Sequence, residues 1–367
     1  MLLRFAVTNY RGFRDRIEWD LSHPKNYTFN ENAVLEGVIK NGIIYGPNGS
    51  GKSNFALALF DIVNHLSQKW KKMDYYANYV YANKTNELVS FEYDFKFGSS
   101  VVKYAYQKNA TGILFSEAMS VDGNMVFNRQ PGSFIIDESE FPINDNLKLS
   151  LKENANNVSI ANLLLTSLPL PQEHFLLQLQ NFVNSMLWYK CLDQRDFIGL
   201  SNSATTNIEE YIINNNYVDD FAKFLKEISD QSFTFALSEK DDKHLYCVID
   251  GSYIPFITLA STGTQSLELL YFWIKQMGQA KFVFIDEFDA FYHFRLAFQV
   301  CKRLFNLDTQ VFTSSHNTYL MTNELLRPDC NFILNEGVIK PLCDCTSKEL
   351  RFGHNIEKLF RGNAFQV

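Results

Sequence analysis

The octapeptide Gly46-Pro47-Asn48-Gly49-Ser50-Gly51-Lys52-Ser53 constrains this chain more than any other segment. It is a complete G-x-x-x-x-G-K-S, and the run Gly42-Ile43-Ile44-Tyr45 in front of it reads as a buried strand. Behind it the apolar spacing turns helical, with Phe55, Leu57, Leu59, Ile62, Val63 and Leu66 on one broad face. Strand, glycine loop and helix in that order let successive backbone N–H groups turn onto phosphate oxygens, and the helix N-terminus adds a favourable dipole. On this reading Gly46, Pro47, Asn48, Gly49, Ser50, Gly51, Lys52, Ser53 and Asn54 hold the phosphates of ATP. Lys52 reaches the β- and γ-phosphates, and the Ser53 hydroxyl ligates Mg²⁺. A glycine turn that only caps a helix is the bland alternative, and the apolar strand in front argues against it.

Three further segments follow in an order that matters. Phe282-Val283-Phe284-Ile285-Asp286-Glu287 is an apolar strand ending in two carboxylates. Asp286 is expected at the sheet's carboxyl edge, holding Mg²⁺ through water, with Glu287 beside it as general base. Thr313-Ser314-Ser315-His316 follows another short apolar strand, which puts His316 in reach of a γ-phosphate. Upstream of both, Ser261-Thr262-Gly263-Thr264-Gln265 opens a helix, a serine, glycine and helix N-terminus that together can hold an anion. Alone that pentapeptide is a plain N-cap. The order of the four elements favours Ser261 and Gly263 as a nucleotide contact.

The remainder bounds the architecture. Leu2 to Thr8 and Arg16 to Leu21 read as strands, and residues 88 to 134 alternate with period two around turns at Gly98-Ser99, Asn109-Ala110 and Asp122-Gly123. From 154 to 228 the spacing is helical, as in Phe175-Leu176-Leu179-Phe182-Val183-Met186. The last third alternates helix with apolar strand, the pattern of a largely parallel α/β sheet. Three parts are expected: 1–73 and 231–367 forming a nucleotide-binding head, and 74–230 a β-rich lobe followed by a helical insertion. The net charge of -7 argues against a broad basic face for nucleic acid. Six irregularly spaced cysteines and no apolar run long enough to span a bilayer suggest a reducing cytoplasm and no membrane. Cys330, Cys343, Cys345 and His354 lack the two tight ligand pairs of a zinc knuckle, so packed thiols are expected.

The order of the four motifs resembles the ABC-type ATPase heads of the SMC, RecF and OLD families. The opening Asn9-Tyr10-Arg11-Gly12-Phe13 is similar to their N-F-R-S-F turn, and Ser261 to Gln265 to their S-x-G-x-x signature. Asp286-Glu287 with His293 sits where relatives show D-E and L-H-P, with Phe294 replacing the proline. The tail from Glu349 to Gly362 resembles that of RloA/AbiL-like bacterial ATP-binding proteins of phage defence, as in the PARIS system. The resemblance implies an α/β P-loop fold, an Arg11 contact to nucleotide, and two heads closing on two ATP molecules, each P-loop facing the partner's Ser261 and Gly263. It also implies ATP hydrolysis and a separate effector, a nuclease or toxin, under the control of this chain.

A second reading is a DNA-engaging repair ATPase of the RecF kind. The one compact basic cluster, Lys69-Trp70-Lys71-Lys72, reads as a solvated helix end. Asp137-Glu138-Ser139-Glu140 and Asp241-Asp242 read as solvated loops rather than a nuclease site.

Overall fold

Two kinds of apolar pattern build two seven-stranded sheets. The computed structural model describes residues 1–67, 75–153, 158–190, 197–199, 207–238 and 241–366. The Lys69-Trp70-Lys71-Lys72 cluster lies outside them. Alternating segments form the first sheet: β1 (Leu2–Thr8), β2 (Ile17–Asp20), β6 (Val89–Phe97), β7 (Ser100–Lys108), β8 (Leu114–Val121), β9 (Asn124–Gln130) and β10 (Ser133–Ile136). Its order is β10-β9-β8-β7-β6-β1-β2, antiparallel throughout. Such a sheet needs only one apolar face, which is why its strands alternate.

Near-continuous apolar runs form the second sheet: β5 (Asn41–Tyr45), β11 (Met186–Lys190), β12 (Phe197–Gly199), β16 (Phe282–Asp286), β17 (Gln310–Ser315), β18 (Asn331–Asn335) and β19 (Val338–Pro341). The order is β12-β11-β16-β17-β5-β18-β19, with five parallel strands in the middle and an antiparallel strand at each edge. Every residue of β5, β16 and β17 is buried, as a parallel sheet covered on both faces requires. Trp19 of β2 joins the two sheets, its ring edge-on to Phe312 and Phe332 at 4.6 and 5.5 Å. A two-residue hairpin, β3 (Val34–Leu35) with β4 (Val38–Ile39), and a small sheet of β13 (Phe235–Ser238), β14 (Asp241–Ile249) and β15 (Ser252–Pro255) complete the strands among the described residues.

The helices are α1 (Lys52–Leu59), α2 (Asp61–Leu66), α3 (Asp145–Glu153), α4 (Ile160–Ser167), α5 (Phe175–Asn184), α6 (Ile208–Asn214), α7 (Val218–Ser229), α8 (Phe256–Leu259), α9 (Thr262–Met277), α10 (Phe294–Phe305) and α11 (Ile356–Arg361). Among the described residues no helix is long and apolar enough to cross a membrane.

One expectation changes. The helical face drawn from Phe175 to Met186 stops short: Ser185 N–H bonds back to the Asn181 and Phe182 carbonyls, and Met186 opens β11. Parallel pairing with β16 over Met186↔Phe282 to Lys190↔Asp286 wins over local helical spacing. Within 74–230, β6 to β10 continue the β1–β2 sheet and β11 lies inside the parallel sheet. Of Cys330, Cys343, Cys345 and His354, the Cys345 thiol donates to the Pro341 carbonyl and His354 Nδ1 accepts from Arg351 N–H. Among the described residues no three metal-ligating side chains gather.

Candidate functional site

In a parallel sheet all carboxyl ends fall on one edge, and side chains just past them converge there. Register fixes the sequence of that edge. Lys190 of β11 pairs with Asp286 of β16, Ile285 with Thr313 of β17, and Ser315 with Tyr45 of β5. Each strand is about 4.8 Å from the next. Residues as far apart in sequence as Tyr45 and Ser315 therefore stand side by side.

The loop after β5 has the geometry of a phosphate nest. Gly49 and Gly51 take φ of +78° and +98°, and a Cβ on Gly51 would lie 2.7 Å from the Phe13 ring. Gly46 is closer still, its Cβ position falling 2.4 Å from the Leu334 carbonyl. Only glycine passes at those points. Gly51 then caps α1, so the first turn of the helix points its free N–H groups into the loop. Lys52 is buried, and its ammonium donates to the carbonyls of Gly46 at 2.9 Å and Pro47 at 3.2 Å. Burial lowers its pKa, while Asp286 and Glu287 oppose that. The amine is thus curled on the loop that would release it to a phosphate. Ser50 Oγ is buried with no hydrogen-bond partner.

Above the loop lies a cleft of about 590 Å³. Pro47, Asn48, Gly49, Ser50, Gly51 and Asn54 floor it, Gly12 to Arg16 form one wall, and Asn335 to Val338 form another. Arg11, expected at the nucleotide, is not in that lining. Its φ is +47°, and its guanidinium lies over the Tyr10 and Tyr75 rings and donates to the Tyr75 carbonyl at 3.2 Å. Arg14 and Arg16 are the basic residues of the wall.

Asp286 ends β16 fully buried. Its Oδ1 accepts from the Ser314 hydroxyl at 2.5 Å, and its Oδ2 has no hydrogen-bond partner. Burial raises its pKa, with the Ser314 and Ser53 hydroxyls pulling the other way. A buried carboxylate oxygen left open beside a P-loop serine is what a hard, oxygen-seeking cation such as Mg²⁺ requires. Glu287 follows with φ +51°, its N–H held by Ser314 Oγ at 2.8 Å and its Oε2 without a hydrogen bond. Ser314 therefore fixes both the acid that precedes the turn and the backbone that follows it. Ser315 Oγ donates to Asp289 Oδ2 at 2.7 Å, steadying the same loop. His316 is exposed, and with Tyr45, Gly46, Pro47 and Phe360 it lines a cavity of about 330 Å³ next to the start of the P-loop.

Ser261 N-caps α9, accepting from Thr264 N–H at 3.2 Å, and is exposed. A Cβ on Gly263 would stand 3.1 Å from the Phe291 carbonyl, so the helix start abuts the loop after Glu287. Neither residue lines the cleft over its own P-loop. Lys190 was not singled out by motif; its ammonium stands 3.5 Å from Glu287 Oε2. The signal that could have found its strand is the aromatic run Leu187-Trp188-Tyr189 behind Asn184-Ser185.

No family model matches the chain, and no curated protein matches it. Solved structures similar to it include the SMC head domain from Thermotoga maritima, at 15% identity over 93% of this chain and 98% of that one, with a TM-score of 0.44. An SmcHead bound to the C-winged helix domain of ScpA is similar at 14% identity, 92% and 96% coverage and a TM-score of 0.45. The recombination mediator RecF with ATP is similar at 15% identity, 93% and 99% coverage and a TM-score of 0.39. Likeness at this level leaves the site to be judged on its own geometry.

Proposed function

We propose that this chain binds ATP with Mg²⁺ at the β5–α1 loop and hydrolyses it, and that the nucleotide acts as a switch between separate and paired heads. The observation that carries the reading is the content of one sheet edge. A glycine nest, a buried cation, a buried carboxylate with an open oxygen and a glutamate on the next residue meet there. Backbone N–H groups of Gly49 to Ser53 and the Lys52 amine bind the phosphates. Ser53 and the open Asp286 oxygen hold Mg²⁺, which when bound offsets phosphate charge. Glu287 takes the proton of the attacking water. The exposed Ser261 and the half-buried Gly263 present a helix start to the nucleotide of a second copy, with His316 at the γ-phosphate. In this scheme 1–73 and 231–367 make the head, and 74–230 contributes strands to both sheets.

The resemblance of the tail to RloA/AbiL-like proteins supports a role as a cytoplasmic sensor that restrains and releases a separate effector. The net charge of -7 weighs against a broad duplex-binding face. The test uses two variants. Lys52→Ala is expected to lose ATP binding in equilibrium dialysis. Glu287→Gln is expected to bind ATP normally, to accumulate as an ATP-dependent dimer in light scattering, and to turn over at least ~100-fold more slowly. Nucleotide affinity retained by Lys52→Ala would remove the P-loop assignment, and wild-type turnover by Glu287→Gln would remove the base.

A further inference from the structure

We infer that Lys190 is a positioning residue for the general base, holding the Glu287 carboxylate from a strand that carries no nucleotide motif. The inference rests on the reading of Glu287 given above. It starts from how incompletely Glu287 is otherwise held. The backbone of Glu287 is anchored, because its N–H bonds to Ser314 Oγ at 2.8 Å and its φ of +51° fixes the turn. Its side chain is not, because Oε2 is buried with no hydrogen-bond partner. A glutamate has three side-chain torsions, and a base that wanders by 1 Å loses rate steeply.

The restraint comes from β11. Among the described residues the Lys190 ammonium is the one cation within salt-bridge distance of Glu287, at 3.5 Å. The strand behind it is firm: Met186, Leu187, Trp188 and Tyr189 are buried, and Tyr189 stacks on Trp273 of α9 with ring centroids 5.4 Å apart. Lys190 pairs directly with Asp286, so the register that builds the sheet also delivers the ammonium to the neighbouring glutamate. Both side chains are partly exposed, at 30% and 25%, so neither is locked out of solvent. A separation of 3.5 Å is longer than a tight charge-assisted hydrogen bond, which leaves the carboxylate lone pairs free to accept from a water. Lys190 thus aims the base without consuming it. Because Tyr189 packs on α9, the same strand ties the aim of Glu287 to the helix that begins at Ser261.

The test is a double-mutant cycle on the full chain, measuring kcat and the Kd for Mg·ATP. Lys190→Met is expected to lower kcat by about tenfold and to leave Kd within about twofold. Lys190→Arg, which keeps the charge, is expected to retain most of the rate. In the Glu287→Gln background Lys190→Met is expected to cost nothing more, because there is no base left to aim. The same further loss in that background would overturn the inference, as would a weakened Kd with kcat intact, which would make Lys190 a phosphate contact. Unchanged kcat in Lys190→Met while Glu287→Gln is slow would sink the positioning role alone. Wild-type turnover in Glu287→Gln would sink the base and its positioning together.

Discussion

Asp61 and Asp286 are both completely buried, yet their surroundings are opposite. Asp61, at the start of α2, accepts from Tyr75 at 2.8 Å and Tyr79 at 2.7 Å on one oxygen. The other accepts from Tyr106 at 2.7 Å and Lys108 at 2.6 Å. Asp286 receives Ser314 on one oxygen and leaves the other without a hydrogen bond. A carboxylate saturated by four donors is a structural node, whereas one with open lone pairs at a sheet edge is built for something that arrives later. The first node also connects to the wall of the P-loop cleft. Tyr75, one of its donors, carries the carbonyl and ring that hold Arg11, and the turn continuing from Arg11 forms a wall of the cleft.

The sharpest way to break this contrast is to remove the one cation that, among the described residues, pairs with the saturated node. Lys108 is 3% exposed at its side chain, so Lys108→Met leaves the Asp61 charge buried and uncompensated. A loss of ~3–5 kcal/mol in unfolding free energy is expected. Denaturant unfolding followed by tryptophan fluorescence measures it, and Asp61→Asn added to Lys108→Met should recover most of the loss. A loss under about 1 kcal/mol would mean that the three tyrosines alone satisfy Asp61.

Neither half of the comparison was equally visible in the sequence. The P-loop and the Asp286-Glu287 strand are contiguous, so their chemistry and spacing stand in a few residues. Ser314, which joins Asp286 to Glu287, lay within a segment read only for its histidine. Lys190 could not be found locally, because it reaches Glu287 by pairing with a strand 96 positions further on, as Met186↔Phe282 shows. The donors of Asp61 span residues 75 to 108, and in a chain with 18 tyrosines each looked like ordinary core. Arg11 matches the arginine of the N-F-R-S-F turn in type and position. Its direction depends on a left-handed backbone and two tyrosine rings that no local pattern encodes.

Glu268 falls between the two extremes and sharpens the scale. It lies buried in α9, with the Glu209 carboxylate as a charged neighbour. Burial first and Glu209 second push its pKa up to about 8. Below the ordinary carboxyl range both folded and unfolded chains hold the proton, and stability is unaffected. As pH rises toward 8 the unfolded chain releases that proton while the folded one keeps it, so the unfolded state binds fewer protons and stability falls. Glu268→Gln, neutral at every pH, should match wild type near pH 4 and exceed it by on the order of 3 kcal/mol at pH 9. Thermal unfolding across that range checks the sign, and a gap that does not widen with pH would return Glu268 to the saturated class.

The smallest effect concerns Asp286 itself and separates holding the fold from holding a ligand. In the nucleotide-free chain its charge is buried against one strong donor, with Glu287 adjacent and its pKa raised. Its ionised form is therefore a burden on the fold, as Asp61 with its four donors is not. Asp286→Asn keeps the shape and the oxygen that accepts from Ser314 while removing the charge. A gain of ~1 kcal/mol at pH 8 is expected, shrinking as pH falls because the wild-type carboxyl then takes up its own proton. Added Mg·ATP should reverse the ranking. Wild type gains stability from a ligand that binds the folded state, and the asparagine variant, lacking the charge to hold the cation, gains less. The paired measurement is thermal unfolding of both proteins with and without Mg·ATP at pH 8. If Asp286→Asn is less stable without ligand and responds to Mg·ATP as wild type does, Asp286 belongs with Asp61 as part of the framework.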